Sequence, residues 1–147
     1  LDEARYRADC GLFFRSIHGT LNHGLLVDRL WRGRVTGVPY AAQSLGEELE
    51  TDRAALQAAL LAECDHWIAL VRSVPAARWA GELTFRRLNG EESTQPFMAL
   101  VMHVFNHGTH HRGQVTAAMT QAGLPAPELD LAYFLPHRPA RLAALPA

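Results

Sequence analysis

The sequence is poor in cysteine, and its two cysteines form no recognisable pair. Cys10 and Cys64 are the only cysteines among 147 residues, and no CxxC motif is present. No disulfide framework is indicated, so we expect a reducing compartment and place the protein in the cytoplasm. Cys64 falls in an apolar helical stripe, which predicts a small buried side chain rather than a nucleophile.

Excess charge and long apolar runs are also missing. The net charge is −1 with neutral histidines, and without a basic patch to neutralise phosphates no nucleic-acid partner is expected. No apolar run approaches the roughly 20 residues of a membrane span, so no membrane partner is expected either. The first ten residues have neither the basic start nor the apolar stretch of a signal peptide. With 48% apolar and 20% charged residues, the composition predicts one globular domain.

Apolar periodicity indicates three long helices and an all-α fold. The first helix is predicted over 16–35, with Ser16 as its N-cap. The second is predicted over 47–74, and at about 1.5 Å rise per residue it has the length of a bundle helix. The last is predicted over 97–123 and stops at Gly123, which accepts the left-handed conformation.

A weakly alternating segment separates the second and last helices. Its centre is Asn89-Gly90, a dipeptide that accepts positive φ at both middle positions of a type I′ turn. This predicts a small β-hairpin before the last long helix. Two strands alone are barely stable, so its role is expected to be local.

Histidines are concentrated in the last helix, and helical geometry sorts them. His111 lies about 20° and His107 about 60° from the centre of the apolar stripe, whereas His103 and His110 lie about 100° and 120° away. His107 and His111 are one turn apart, close enough to bind one ion. His23 faces inward from the first helix, and bundles build metal sites from facing helices.

Ordinary structural roles remain open for these histidines. A bare His-x3-His pair is more often structural than metal-binding, and one inward histidine is more often a hydrogen-bonded core residue. Taken together, the inward positions leave a metal site and a structural cluster about equally open. The other histidines fall away from the apolar stripes or in the tail, and they are predicted to lie on the surface: His18, His66 and His137.

Two segments carry a family resemblance. "GTLNHGLLVDRLW" (19–31) and "HVFNHGTHHRGQVTAAMTQAGL" (103–124) resemble the signature segments of the DinB family, and the closing "LDLAYFL" fits as well. The resemblance implies a four-helix bundle that holds a divalent metal ion through His23, His107 and His111. It also implies that His103 and His110 are not ligands.

The same resemblance implies that the first bundle helix is missing from this sequence. We therefore expect a single DinB-like domain over 1–147, incomplete at its N-terminus, with a loosely packed tail over 136–147. Leu21 and Leu25 are predicted to form an apolar strip on the first helix. Either an absent N-terminal helix or a second subunit should cover this strip, and a homodimer is expected.

The resemblance also implies a chemistry. Three histidines leave a coordination position open, as in catalytic sites, so the ion can activate a water or thiol or polarise a carbonyl. A metal-dependent thiol S-transferase or hydrolase acting on a small molecule, with a low-molecular-weight thiol as cosubstrate, is implied. Zinc is the first choice, and nickel, iron or manganese would also fit. The alternative is a non-catalytic metal-binding module of stress response that meets another protein; a deep cleft above His23 would favour the enzyme, and a closed dry site the module.

No general base is identified from the sequence. Asp28 lies about 140° around the helix from His23 and is not assigned to the site. Arg112 is expected to be solvated, with contact to an anionic substrate as the alternative. Asn22 and Asn106 each precede a predicted ligand, and capping or surface roles are favoured for them over support of the ligands.

Overall fold

Three long helices and a two-stranded sheet form the computed structural model, which describes residues 1–134. The expected loose tail over 136–147 and His137 lie outside the described residues. The long helices are α2, α3 and α4, and the short elements lie between and beside them. In chain order the elements are α1 (Glu3–Arg7), α2 (Ile17–Thr36), α3 (Arg53–Ser73), a 3₁₀ turn (Ala76–Ala80), β1 (Glu82–Arg86), β2 (Glu92–Pro96), α4 (Phe97–Gln121) and α5 (Leu131–Phe134).

Helix α2 is the centre of the fold, and its N-cap prediction is confirmed. The Ser16 hydroxyl accepts a hydrogen bond from Gly19 N at 2.9 Å, which satisfies one of the free amides of the first turn. Gly37, with φ of 74°, ends the helix. The apolar strip expected at Leu21 and Leu25 is not exposed as predicted: Leu25 is fully buried and Leu21 half-buried within the chain.

The two other long helices pack on α2 in opposite directions. Val27 and Trp31 contact the early part of α4, whereas Ile17 contacts Ala118 near its end, so α2 and α4 are antiparallel. Arg32 of α2 pairs with Glu63 of α3 at 2.5 Å, and earlier residues of α2 face the segment just before α3. Helices α2 and α3 are therefore parallel, and the linker 37–52 returns along the length of α2.

An open groove separates α3 from α4. Both helices pack against α2 but barely against each other, with Trp67 and Phe105 forming an edge contact at 5.9 Å. Two cavities of about 510 and 400 Å³ follow the groove, and large apolar side chains remain exposed along it, such as Leu61 and Phe105. The uncovered apolar surface thus lies between α3 and α4 rather than on α2. The missing N-terminal helix stays a prediction, but the α2 strip that it was expected to cover is largely buried within the chain.

The predictions for α3 need three corrections. The helix begins at Arg53 rather than at 47, because Asp52 caps it by accepting from Ala55 N at 2.8 Å. Cys64 is exposed rather than buried, because its face looks into the groove. The expectation that no segment approaches a membrane span also changes, because α3 is long and apolar enough to cross one, with mean hydropathy 1.3 over an 18-residue window that is only 17% buried. One such helix, identified by length and composition alone, is weak evidence for a membrane span, and α3 carries the buried Glu63 that pairs with Arg32 of α2.

The predicted hairpin is present, but its turn differs from the expected type I′. β1 and β2 pair antiparallel, with Thr84 opposite Thr94. Gly90 N donates to Arg87 O at 3.0 Å and Arg87 N donates to Glu91 O at 2.8 Å. Only Gly90 of the central pair has positive φ, at 86°. This is a three-residue loop in which the glycine occupies the left-handed bulge position.

Helix α4 has the predicted bounds within two residues. Pro96 immediately precedes the first helical residue, where a missing N–H costs nothing. Gly123, with φ of 71°, follows the end of the helix as predicted. The helix is 25 residues long, so it carries both the apolar contacts to α2 and the histidines beyond them.

Candidate metal centre

Three histidines from two helices converge at one point. His23 lies on α2, and His107 and His111 lie one turn apart on α4. The His107 Nε2 is 3.2 Å from His23 Nε2 and 3.1 Å from His111 Nε2. One ligand atom from each of the three lies within 4.8 Å of the others. The inward faces assigned from the helical period thus bring together the three predicted positions.

The outer nitrogens of two of these rings are held by oxygen acceptors. His23 Nδ1 donates to Leu45 O at 2.8 Å, and His111 Nδ1 donates to Gln114 Oε1 at 2.7 Å. With the proton on Nδ1, the Nε2 atom carries a lone pair that faces the centre of the cluster. Metal-binding histidines are commonly oriented in this way, by a hydrogen bond from the second nitrogen.

His107 lacks such a partner. Its Nδ1 is buried without a hydrogen bond. Burial, together with the neighbouring His111 and His23, lowers the pKa of His107 to about 4. Burial also lowers the pKa of His23 and of His111. The three imidazoles are therefore neutral near pH 7, and no pattern of hydrogen bonds among them satisfies every nitrogen.

This donor set fits a divalent cation. Imidazole nitrogens bound about 2.1 Å from one ion lie about 3.0–3.4 Å from each other in octahedral or tetrahedral geometry. The two Nε2 separations at His107 fall in that range. A cation at this point would be bound by the three Nε2 lone pairs, and the His107 proton would then lie on its Nδ1.

An irregular segment before α2 covers one side of the cluster. Phe14 stacks on His23 with ring centroids 3.8 Å apart and meets the edge of His111 at 5.8 Å. Arg15, with φ of 69°, turns the chain back toward α2. Gly19 permits this close approach, because a Cβ there would collide with Phe14 O. Phe14 therefore shields the cluster from water, a role that sequence periodicity did not indicate.

Asn22 anchors the linker that reaches His23. Its Oδ1 accepts from Leu49 N and Glu50 N, both at 2.9 Å, and its Nδ2 donates to Glu50 O at 3.1 Å. The side chain is buried at 1% exposure. The expected capping or surface role is therefore wrong, because the linker packs over this face of α2. An asparagine in a broadly apolar helix was the available signal, since a buried amide needs partners.

The other histidines are placed as follows. His18, predicted on the surface, is 4% exposed, with Nε2 2.6 Å from Glu48 Oε1 and its ring edge against Tyr6. The prediction failed because α1 and the linker cover a face that is not apolar. His66 is exposed as predicted. His103 and His110 are exposed and lie outside the three-histidine group.

A pocket of about 610 Å³ opens onto the cluster. Phe14, Val27 and Trp31 form apolar walls, and polar groups converge from several sides: Arg34, Arg87, Asn89, His103, His110 and Gln114. No described carboxylate lines it. Asp28 and Arg112 line the groove cavity between α3 and α4 instead. That placement agrees with leaving Asp28 out of the site and removes Arg112 as a contact of ligands in this pocket.

Comparison with known proteins supplies one match. A family model described as the DinB family matches residues 1–140. No curated protein and no solved structure matches the chain. The match covers the whole three-histidine cluster and all three long helices.

Proposed function

The chain belongs to the DinB family, and from this premise we propose that it binds one divalent metal ion through His23, His107 and His111. We propose further that it is a metal-dependent enzyme of the thiol S-transferase or hydrolase type. The observation that supports this best is the convergence of three Nε2 atoms in a cluster that lines an open pocket. The outer nitrogens of two rings are already held by protein acceptors.

The bound ion would lower the pKa of a coordinated water or thiol, or polarise a carbonyl. The residues around it define what the chain contributes. Leu45 O and Gln114 Oε1 fix two ring orientations, and Phe14 excludes water from one side. The pocket, of which Phe14 is one wall, leaves the cluster accessible to a small-molecule substrate. A low-molecular-weight thiol is a suitable cosubstrate because thiolates bind zinc and similar ions well.

A proton acceptor is not assigned. No described carboxylate lines the pocket, so a glutamate or aspartate general base has no support. His103 and His110 are the remaining titratable side chains at the pocket edge. This composition favours activation by the ion over classical carboxylate catalysis.

A non-catalytic metal-binding module is the second candidate. A closed, dry site would favour it, since such a module needs no substrate access. The open pocket of about 610 Å³ with converging polar groups supports the enzyme instead.

We propose zinc as the native ion, with nickel, iron or manganese as alternatives. Metal analysis of protein purified without a nickel column tests both binding and identity. About one ion per chain is expected for the wild type, and none for a variant with His107 replaced by alanine. A chain without metal after zinc incubation, or a variant that keeps its ion, would overturn the proposal.

We propose a cytoplasmic homodimer as the working assembly. The described cysteines Cys10 and Cys64 form no disulfide, which agrees with a reducing compartment. The groove between α3 and α4 leaves apolar side chains in water, and a two-fold pairing is the commonest way for like surfaces to cover each other.

A further inference from the structure

Arg34 lies at the far end of the pocket that opens onto the histidines. Its guanidinium carbon is 4.5 Å from the ring centroid of Trp31 and 4.8 Å from that of Phe85. One nitrogen donates to Arg86 O at 3.3 Å. The aromatic contacts hold the guanidinium in place and leave most of its N–H donors free.

This arginine has no acidic partner among residues 1–134. Burial lowers the pKa of Arg34, with no nearby carboxylate to offset it. Arg32, two positions earlier on α2, shows the contrast, because it is paired with Glu63. A half-buried arginine without a counter-ion is a costly feature, and an anionic ligand would remove that cost.

The other charged side chain that lines the pocket is also positive. Arg87 also lines it, from the hairpin loop, and no described aspartate or glutamate does. Arg87 is exposed and lies 3.8 Å from Glu91, outside the pocket. The positive end of the pocket therefore depends mainly on Arg34.

The spacing of the two ends sets the shape of the ligand. His23 and Arg34 lie on the same helix, eleven residues apart, which is about 16 Å along the axis at 1.5 Å per residue. The arginine side chain leans back toward the helix N-terminus and shortens that distance. Trp31 and His103, in edge contact at 5.4 Å, form the surface between the ends.

We infer that the pocket takes an elongated small molecule with a carboxylate at one end, bound in plane by Arg34, and its reacting group at the three histidines. This inference rests on the proposed function. A carboxylate suits the site because a guanidinium offers two parallel donors to its two oxygens. The apolar wall at Trp31 favours an uncharged middle section.

The test compares two thiols of equal length on the chain loaded with Co²⁺. The probes are 8-mercaptooctanoate and 8-mercapto-1-octanol, and their binding is followed by the thiolate-to-cobalt absorption band. The carboxylate probe is expected to bind about tenfold more tightly, a difference of about 1.4 kcal/mol. Arg34→Gln should abolish this preference without changing the affinity for the alcohol. Arg34→Lys should keep part of it, and Arg112→Gln, in the groove, should keep all of it.

Equal affinity of the two probes for the wild type, or an equal loss of both in Arg34→Gln, would overturn the inference. Inorganic phosphate displacing the carboxylate probe at lower concentration than acetate would also overturn it, since the end group would then be a phosphate. If Co²⁺ fails to bind, the proposed function fails on its own. Calorimetry then compares octanoate with octanol on the metal-free chain. Tighter binding of octanoate that Arg34→Gln abolishes would support the assignment of Arg34, and equal affinity of the two would overturn it.

Discussion

Helix α4 presents two sides that are built in opposite ways. Toward α2 it carries His107 and His111, and on that side most polar groups have partners and irregular segments close over the helices. Toward α3 it presents Phe105 and Arg112 to an open groove, where apolar side chains face water. Both sides hold cavities, of about 610 Å³ on the histidine side and about 510 and 400 Å³ along the groove.

The difference lies in what surrounds each cavity. Phe14 and the linker residue Leu45 contact the histidines and fix their orientation, so the site is organised by the chain itself. In the groove, Asp28 is half-buried, and burial together with the nearby Glu63 raises its pKa from 3.8 to about 6, although Arg112 acts in the opposite direction. A pocket whose groups are already oriented is ready for a ligand, whereas the groove leaves large apolar side chains exposed to water.

The largest effect is expected from removing a central ligand of the histidine side. His107→Ala should reduce zinc affinity by more than the 10–100-fold that is typical of altered supporting residues, because only two ligands remain. His103→Ala and His110→Ala are the controls and should keep one ion per chain. Metal stoichiometry after dialysis measures the effect. Loss of the ion in either control would show that the three-histidine assignment is wrong.

The histidine side was also the part that the sequence predicted best. Ser16, Gly123 and the inward faces of the histidines follow local rules, capping chemistry and the 3.6-residue period, which act within a few residues. The position of Phe14 and the burial of His18 depend on how 1–15 and 37–52 fold over α2. Those segments have no period, so their contacts could not be predicted.

On the groove side the sequence predicted less because the period alone does not say which faces are covered. Cys64 falls in the apolar stripe of α3, yet it is exposed because α4 does not reach it. Leu25 was assigned to an uncovered strip and is fully buried. The predicted strip on α2 was therefore wrong, because which helix faces stay exposed depends on the relative directions of the three long helices.

The polar framework of the histidine side can be broken at Asn22. Asn22→Ala leaves the backbone amides of the half-buried Leu49 and Glu50 without their acceptor, so the free energy of unfolding should fall by about 2 kcal/mol. Zinc affinity should fall about tenfold, because the linker bearing Leu45 loosens and His23 loses its orientation. Asn106→Ala, at an exposed position of α4, should change neither. Chemical denaturation and zinc titration measure both quantities, and an unchanged zinc affinity in Asn22→Ala would show that the linker does not support the site.

Replacing Asp28, the half-buried carboxyl on the groove side, should stabilise the fold, whereas replacing Asn22 should destabilise it. The pKa of Asp28 is higher in the folded chain than its ordinary value, so the folded state holds the proton longer. Its contribution to stability is therefore lost as pH rises from about 4 to about 6. Asn resembles the neutral acid, and Asp28→Asn should raise the free energy of unfolding by about 2 kcal/mol at pH 7.5 and by little at pH 4.

The control for this change is Asp65→Asn, at an exposed position of α3. It should be neutral at both pH values. Urea denaturation at the two pH values measures the effect. Equal stabilisation by Asp28→Asn at both would mean that the groove does not penalise the charged carboxylate.

The smallest effect is expected from weakening the proposed self-association of the chain through the groove. If a second copy packs there, the chain should be a dimer at micromolar concentration by light scattering. Leu61 lines the groove and is 61% exposed, so Leu61→Glu should weaken association about tenfold, or about 1.4 kcal/mol, with little loss of monomer stability. Val38→Glu, in the linker at 71% exposure, should leave association unchanged. A well-folded, zinc-loaded wild-type monomer would rule out the dimer. A dimer that Leu61→Glu does not weaken would show that the interface lies outside the groove. A second copy would then not explain the exposed apolar side chains on the α3 side of α4.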